Sequence, residues 1–241
     1  MRPLRIPICP APGDCPGFYL PAMPDVPPDH PLANRLIPCA CTLARQAGAI
    51  RAGLAPLLRA MTFEAFQTEE GNRAALERAQ QFASDPWGQG WYWLVLIGSN
   101  GRGKTHLAAA VVNALLARGE PARFENVAEL LDYLRAGYSA QGDEDFDRRL
   151  ARLKDAPVLV LDDLGAEAGH TAPFEVSWAQ DKIYQILDHR LVEQQPTIVT
   201  TNLPLNRLPQ RIASRLQDRR AARVIAITTG DRRVLRAETA A

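Results

Sequence analysis

The sequence has no long uninterrupted apolar run and almost no net charge. None of its 241 residues lies in a run approaching the roughly 18 consecutive apolar residues that a membrane-spanning helix needs. Pro3, Pro7, Pro10 and Pro12 interrupt the region where the apolar helix of a secretory signal would lie. With 28 Lys+Arg against 27 Asp+Glu, the whole molecule has no electrostatic bias toward nucleic acid or membrane. We therefore expect a soluble cytoplasmic protein with no membrane partner, in which local patches bind any anionic ligand.

Cysteine is scarce and unevenly placed, and an intracellular chain of this kind is not expected to contain structural disulfides. Residues 1–41 hold all four cysteines and eleven of the nineteen prolines. The four are Cys9, Cys15, Cys39 and Cys41. Four thiolates can hold a tetrahedral zinc ion, and His30 can replace one of them as a ligand. The alternative, free cysteines in a flexible arm, stays open.

Beyond this region, apolar runs of strand length alternate with helical patterns. The runs are WYWLVLIG, ARFEN, APVLVLDD, PTIVTTN and ARVIAI. Between them, spacings of three and four residues predict amphipathic helices around 107–115 and 183–191, and a polar helix is expected over 72–83. A connecting helix before these, interrupted near Gly53 and Pro56, is also expected. The alternation predicts an α/β fold with a mostly parallel central sheet flanked by helices. We predict two regions, a Cys/Pro-rich one over 1–60 and a catalytic domain over 61–241.

A glycine-rich turn follows the first of these strands and opens a helix. It fits the GxxxxGK(S/T) pattern over residues 98–105, and the strand before it and the helix after it are the context that this pattern requires. Its backbone N–H groups can surround phosphates, its lysine can reach the β and γ phosphates, and its threonine can bind Mg²⁺. The residues predicted to bind a nucleoside triphosphate are Gly98, Ser99, Asn100, Gly101, Arg102, Gly103, Lys104, Thr105 and His106.

Two acids end another apolar run, in the stretch APVLVLDDLG. Asp162 is the predicted partner of Thr105 in the magnesium shell, and Asp163 is predicted to orient or deprotonate the attacking water. The alternative is that the two aspartates only cap a strand. The later run PTIVTTNLP brings Thr200, Thr201 and Asn202 to the same predicted sheet edge, where Asn202 can contact a γ-phosphate or serve merely as a turn residue.

Arginines recur at four-residue spacing in the stretch LPQRIASRLQDRRAARV, where Pro209 can open a helix. Arg211, Arg215 and Arg219 would lie on one helix face and repel one another. We expect an anion opposite them, either the nucleotide of a neighbouring subunit or nucleic acid; a solvated basic face is the alternative.

Taken together, these motifs resemble the DnaC/IstB-like bacterial AAA+ ATPases, and DnaC-type helicase loaders in particular. The resemblance covers roughly residues 62–235 and rests on the order of the phosphate loop, LVLDDLG, W(x)5Y(x)2L(x)2R, PTIVTTNLP and RIASRL. The W(x)5Y(x)2L(x)2R residues are Trp178, Tyr184, Leu187 and Arg190. MTFEAF also looks like the family's usual entry to the ATPase domain. The resemblance therefore implies a P-loop AAA+ domain that binds ATP and Mg²⁺.

The same resemblance implies roles for residues outside the phosphate loop. Asn202 corresponds to the sensor that reads the γ-phosphate, and Arg215 looks like the arginine finger that reaches a neighbouring subunit's ATP, with Arg211 as a second candidate. Arg233, in GDRRVLRA, resembles the second sensor. DHPLANRLIPCAC is similar to half of the cysteine-containing N-terminal module of such loaders, although five residues separate Cys9 from Cys15, where a shorter spacing is usual.

The resemblance favours an ATP-hydrolysing loader that self-associates through its ATP site and delivers a replicative DNA helicase onto single-stranded DNA. An IstB-like transposition helper, acting on a transposase and duplex DNA, is the nearest alternative. A small-molecule phosphotransferase would need a lid insertion that the sequence does not show. A binding module in which ATP is structural and hydrolysis negligible is a third alternative.

Overall fold

The computed structural model describes residues 18–19, 37–38, 52–140, 143–165 and 173–230. The chain divides into two units, residues 1–51 and residues 52–241. In the first unit, β1 (Phe18–Tyr19) pairs antiparallel with β2 (Ile37–Pro38). The four cysteines and His30 lie outside the described residues, so a zinc site there stays a prediction.

The second unit alternates helices and strands as the sequence predicts. Its elements are α1 (Pro56–Arg59), α2 (Glu70–Ser84), β3 (Trp93–Ile97), α3 (Lys104–Ala117), β4 (Ala122–Asn126), α4 (Val127–Ala140), α5 (Asp143–Lys154), β5 (Val158–Leu164), α6 (Pro173–Val192), β6 (Thr197–Thr201), a 3-10 turn (Leu205–Arg207), α7 (Gln210–Leu216) and β7 (Ala222–Ala226). Among the described helices, none combines the length and the apolar character needed to cross a membrane.

The five strands form one parallel sheet in the order β4-β5-β6-β3-β7. Strand β6 therefore separates β3, which precedes the glycine-rich turn, from β5, which ends in the two aspartates. Because all five strands run in the same direction, their carboxyl ends meet at one edge. That edge collects the polar residues that follow β3, β5 and β6, and the predicted α/β class with a parallel sheet is confirmed.

Helices cover both faces of the sheet. Trp93 and Val95 belong to a core cluster shared with α4, α5, α6 and α7, and both side chains are fully buried. Leu94 and Leu96 alternate with them and are equally buried, so they point to the opposite face, where α2 and α3 pack together. Because β3 has no solvent-exposed face, its sequence is a continuous apolar run.

One local feature differs from the sequence prediction. Pro56 begins α1 instead of interrupting a helix, because proline at the first helical position loses no hydrogen bond. Helix α1 contacts α3, and Asn113 of α3 donates hydrogen bonds to the carbonyl oxygens of Leu58 and Met61 at 2.9 and 2.8 Å. The segment from Ala52 to residue 60 is described with the second unit, and the functional division after residue 60 stays a prediction.

Candidate functional site

The glycine-rich turn between β3 and α3 depends on backbone conformations that favour glycine. Gly101 and Gly103 have φ values of 73° and 91°, in the left-handed region. A Cβ atom at Gly103 would also lie 2.8 Å from Cε2 of Phe66. Phe66 therefore packs directly on the turn, and a larger residue at position 103 would displace it.

Lys104 begins α3, and its side chain folds back into the turn. Its Nζ donates hydrogen bonds to the carbonyl oxygens of Gly98 and Ser99 at 2.7 and 2.8 Å, and the residue is only 6% exposed. The ammonium group is thus held among backbone groups at the N-terminus of a helix, where positive charge attracts phosphate.

Asp162 lies at the carboxyl edge of β5, where the pairing with β6 shifts register between Leu161 and Leu164. Thr105 Oγ1 donates to the Asp162 carboxylate, 3.1 Å from each oxygen, and Thr200 Oγ1 donates to Oδ1 at 2.6 Å. Burial raises the pKa of Asp162, while these two hydrogen bonds oppose the rise. The structure therefore joins the end of β5, the end of β6 and the start of α3 through one buried carboxylate.

Asp163 has a φ of 62°, which directs its side chain differently from that of Asp162. Its backbone N–H donates to Thr200 Oγ1 at 2.9 Å, and its carboxylate accepts a hydrogen bond from the amide of Asn202. Thr200 thus fixes both aspartates. The sequence predicts that Thr200 lies at this edge but not that it bridges the two aspartates. The sequence signal for such a role is a hydroxyl side chain at the end of a central strand.

One cavity of about 650 Å³ collects most of the predicted residues of the sheet edge; Gly98 and Ser99 are not among the residues that line it. It is lined by Met61, Ala65, Phe66, Gln67, Asn100, Gly101, Arg102, Gly103, Lys104, Thr105, His106, Asn126, Asp162, Asp163, Thr200 and Asn202. We call this cavity the nucleotide cleft. Asn126, at the end of β4, was not predicted; its side chain also accepts a hydrogen bond from the N–H of Ala128 at the start of α4.

The entry segment, residues 61–66, closes one side of the nucleotide cleft. Nε2 of His106 lies 2.8 Å from the carbonyl oxygen of Thr62, and the His106 ring packs edge-on against Phe66. On the other side, Arg102 donates to the carbonyl oxygen of Ile227 at 2.8 Å. These side chains tie the turn to its surroundings, and Phe66 supplies an aromatic surface beside the phosphate-binding turn.

The residues of the nucleotide cleft fit a bound Mg²⁺ ion and a nucleoside triphosphate. A hydroxyl and a carboxylate already in contact are the oxygen ligands that Mg²⁺ prefers, and the ion binds few protein groups because it keeps phosphates and water. Thr105 and Asp162 are that pair. The turn adds backbone amide dipoles and the Lys104 charge for phosphates.

The predicted arginine finger lies outside the nucleotide cleft of its own chain. Nε of Arg215 donates to Asp188 at 2.7 Å, and Nη2 donates to the Tyr184 hydroxyl at 3.0 Å. Arg211 forms an ion pair with Asp181. The anions facing these two arginines are thus carboxylates of α6, a feature that sequence spacing could not reveal. The trans-acting role of Arg215 or Arg211 stays a prediction.

Arg219 is not on the helix face that the four-residue spacing predicts. Helix α7 ends at Leu216, and the chain turns there because Asp218 Oδ1 accepts a hydrogen bond from the N–H of Arg220. We call residues 207–223 the arginine segment. Arg233 lies outside the described residues, and its role as a second sensor stays a prediction.

Arg190, part of the W(x)5Y(x)2L(x)2R pattern, stabilises the fold and does not line the nucleotide cleft. Its side chain is fully buried, and its guanidinium donates to the Thr197 hydroxyl and to four backbone carbonyl oxygens. The carbonyl acceptors belong to Leu153, Lys154, Ala156 and Pro196. Burial lowers the pKa of Arg190 to about 9. The guanidinium therefore joins the ends of α5 and α6 to the starts of β5 and β6, on the side of the sheet opposite the nucleotide cleft.

Comparison with known proteins matches this chain to one family. The sequence profile described as "IstB-like ATP binding protein" matches residues 43–227. The replicative helicase loader DnaC of Escherichia coli (strain K12) is 29% identical over 170 residues, which are 70% of this chain and 66% of that protein. The chain thus spans just under two thirds of the length of this curated relative.

Two further matches extend the comparison. A Mycobacterium tuberculosis protein whose name refers to ATP binding and to an insertion sequence is 30% identical over 141 residues, covering 58% of this chain and 53% of the relative. The crystal structure of DnaI superposes with a TM-score of 0.58 at 28% identity, covering 74% of this chain and 94% of the other. The fold predicted from sequence, a P-loop AAA+ domain, is confirmed by this likeness.

Proposed function

Since the chain belongs to the IstB-like ATP binding protein family, we propose that it is an ATP-hydrolysing loader that delivers a replicative DNA helicase onto single-stranded DNA. The similarity to the DnaC loader over 70% of this chain carries the proposal. The nucleotide cleft supports it, because the groups proposed to bind the phosphates, Mg²⁺ and the attacking water line a single cavity.

Each polar residue of the nucleotide cleft has a place in the proposed hydrolysis. The turn and Lys104 hold the phosphates, and Thr105 and Asp162 hold Mg²⁺, which neutralises charge on the phosphate oxygens when bound. Asp163 accepts a proton from the water that attacks the γ-phosphorus, while the bond to the ADP oxygen breaks. Asn202, hydrogen-bonded to Asp163, positions that carboxylate and senses the γ-phosphate.

In the proposed cycle, ATP promotes self-association and single-stranded DNA contact, and hydrolysis releases the helicase. Arg215 or Arg211 of one subunit contacts the ATP of the next, and the region before residue 60 binds the helicase. An exposed ion pair such as Arg215–Asp188 contributes only about 0–1 kcal/mol. Either arginine can therefore leave its intramolecular partner at small cost when a neighbouring phosphate is offered.

A transposition helper is the second candidate. The insertion-sequence relative from Mycobacterium tuberculosis favours it, at an identity similar to that of the loader. The two functions share the nucleotide cleft and differ in the protein that is captured and in the form of DNA that is bound.

Co-purification of the full chain with a replicative helicase, in parallel with a transposase, distinguishes these candidates. The experiment compares ATP and Mg²⁺, ADP, and no nucleotide, for the wild type and for Lys104→Ala. Lys154→Ala, which removes the same charge on α5, is the matched control. We expect nucleotide-dependent capture of the helicase, lost in Lys104→Ala alone. Capture of the transposase without the helicase would replace the loader by the transposition helper, and capture of neither would reject both.

A further inference from the structure

The arginine segment borders a second cleft, away from the nucleotide cleft, that has no assigned ligand. This cleft, of about 660 Å³, is lined by Leu205, Gln217, Arg219, Ala222, Arg223 and Val224. We call it the β7 cleft because three of its residues belong to that strand. In the described part of the sheet, β7 is an edge strand that pairs only with β3, so the β7 cleft lies at the margin of the sheet.

The charges of the arginine segment are compensated unevenly. Arg211, Arg215 and Arg220 face the carboxylates of Asp181, Asp188 and Asp218 respectively. Arg219 and Arg223 have no carboxylate partner within the described residues. Arg207, which is exposed, also has no carboxylate partner within the described residues. Two of the three arginines whose charge is uncompensated therefore line the β7 cleft.

Arg223 is held in place before any ligand arrives. Its Nη1 donates to the carbonyl oxygens of Arg219 and Ala222 at 2.8 and 3.1 Å, and its guanidinium lies 5.8 Å from the ring centroid of buried Trp91. A guanidinium has five N–H groups, and two carbonyl contacts made by one nitrogen leave others to donate to an anion. Arg219 is exposed, and within the described residues its side chain has no hydrogen-bond partner, so it is available to the same ligand.

The rest of the lining indicates what kind of anion fits. Leu205, Ala222 and Val224 give an apolar surface, and Val224 is 39% exposed. The ligand therefore combines negative charge with apolar groups. An unstacked nucleic acid strand has both, whereas a duplex keeps its bases stacked inside and presents mainly phosphate and sugar.

We propose that the β7 cleft binds the phosphate backbone of single-stranded DNA through Arg219 and Arg223, with bases resting on Leu205 and Val224. This inference rests on the proposed function and deepens it, because it assigns the DNA contact to residues separate from the nucleotide cleft and from the α6-paired arginines. It also divides the arginine segment, with Arg219 and Arg223 serving DNA and Arg211 and Arg215 left for a neighbouring ATP.

Fluorescence anisotropy with labelled oligothymidylate tests the assignment on the full chain with ATP and Mg²⁺. Arg219→Glu should weaken binding about tenfold or more. Arg220→Glu is the matched control, because it changes the charge equally at the next position, in a side chain that is 92% exposed and paired with Asp218. We expect less than about a twofold change for this control. Arg223→Lys, which keeps the charge but loses the planar fork, should weaken binding by a smaller factor than Arg219→Glu.

The salt dependence gives an independent readout. Each lost phosphate contact to a single strand makes the slope of log affinity against log salt shallower by about 0.7, so the double variant Arg219→Ala/Arg223→Ala should lose about 1.4. Equal weakening by Arg219→Glu and Arg220→Glu, or an unchanged slope in the double variant, would overturn the β7 cleft as a DNA site. If the double variant unfolds, Arg219→Glu alone decides, because Arg219 is an exposed surface side chain.

Failure of this inference is distinguishable from failure of the proposed function. Wild-type DNA binding that does not depend on Arg219, with helicase capture intact, rejects the β7 cleft and leaves the loader in place. Loss of helicase capture in Arg219→Glu with DNA binding unchanged would show that the β7 cleft serves a protein partner, which also rejects the inference. Arg219-dependent DNA binding without helicase capture rejects the loader and keeps the inference.

Discussion

In the nucleotide cleft, Asp162 is 5% exposed and accepts hydrogen bonds from two threonines, whereas the Asp188 side chain, which pairs with Arg215 on the surface, is 38% exposed. Burial leaves the first group no solvent to replace a lost partner, so its geometry is set before substrate binds. The second group can exchange its arginine for water at little cost. Substitutions of buried polar groups should therefore have large effects, and substitutions of the surface ion pairs between the arginine segment and α6 should leave the fold almost unchanged.

Arg190 is the most stringent test of that contrast, because it is an arginine that the structure buries completely. Arg190→Met leaves the five oxygen acceptors around it without their donor, and the free energy of unfolding should fall by about 3–5 kcal/mol. Urea denaturation measures the loss. Arg152→Met, at an exposed position of α5, should change stability by less than about 0.5 kcal/mol. Equal values for the two variants would remove the distinction between buried and exposed arginines.

Asp163→Asn should produce the next largest effect, on hydrolysis. Asparagine also adopts positive φ and keeps the oxygen that accepts from Asn202, so the change removes the charge and the proton acceptor alone. The rate of phosphate release should fall by about 10²–10⁴ while ATP still binds. Asp155→Asn is the control, since Asp155 is 71% exposed, pairs with His189 and is not among the residues that line the nucleotide cleft. Normal turnover in Asp163→Asn would exclude Asp163 as the base.

Thr200→Val should act on both stability and turnover. It removes the donor to Asp162 and the acceptor for the Asp163 N–H in one step, which should cost about 1–3 kcal/mol. Since the lost hydrogen bond lowers the pKa of Asp162, that pKa should rise further in the variant. Thermal unfolding and Mg²⁺-dependent ATP binding measure the two effects. Thr228→Val, at an exposed position, should be close to wild type, and identical behaviour of the two variants would contradict the role of Thr200.

Asp188→Asn should have the smallest effect on stability. The side chains of Arg215 and Asp188 are 32% and 38% exposed, so loss of the pair should change the free energy of unfolding by about 0–1 kcal/mol, and less at high salt. A double-mutant cycle with Arg215→Gln isolates the interaction. A coupling above about 2 kcal/mol would mean that α6 holds Arg215 firmly, and the contrast with the nucleotide cleft would fail.

Strands β3, β5 and β6 were predictable because they are buried on both faces and read as apolar runs, whereas β4 and β7 alternate buried residues with more exposed ones. The order of the strands was not predictable, since the placement of β6 between β3 and β5 depends on long-range packing that the local sequence does not show. Helix α5 was missed although Phe146, Leu150 and Leu153 recur at helical spacing and are buried. The signal was present there, in a segment dominated by charged residues.

The candidate site likewise has features that the sequence predicts and features that it does not. The phosphate-binding turn could be predicted with its neighbours, since its glycines and Lys104 act within one local segment. The partners of Arg211 and Arg215 could not, because Asp181 and Asp188 lie about 30 residues earlier, on another helix. Thr200 was visible as a polar strand end, but its bridge between two aspartates depends on the register shift of β5.

Equilibrium binding of a fluorescent ATP analogue with Mg²⁺ tests the nucleotide cleft most directly, using the wild type, Lys104→Ala and the matched Lys154→Ala. Lys104 is buried inside the glycine-rich turn, so its loss should weaken binding by at least about tenfold, equivalent to about 1.4 kcal/mol. Lys154→Ala should bind like the wild type. Equal affinity of all three proteins, or Mg²⁺-independent binding, would contradict the assignment of this cleft to ATP.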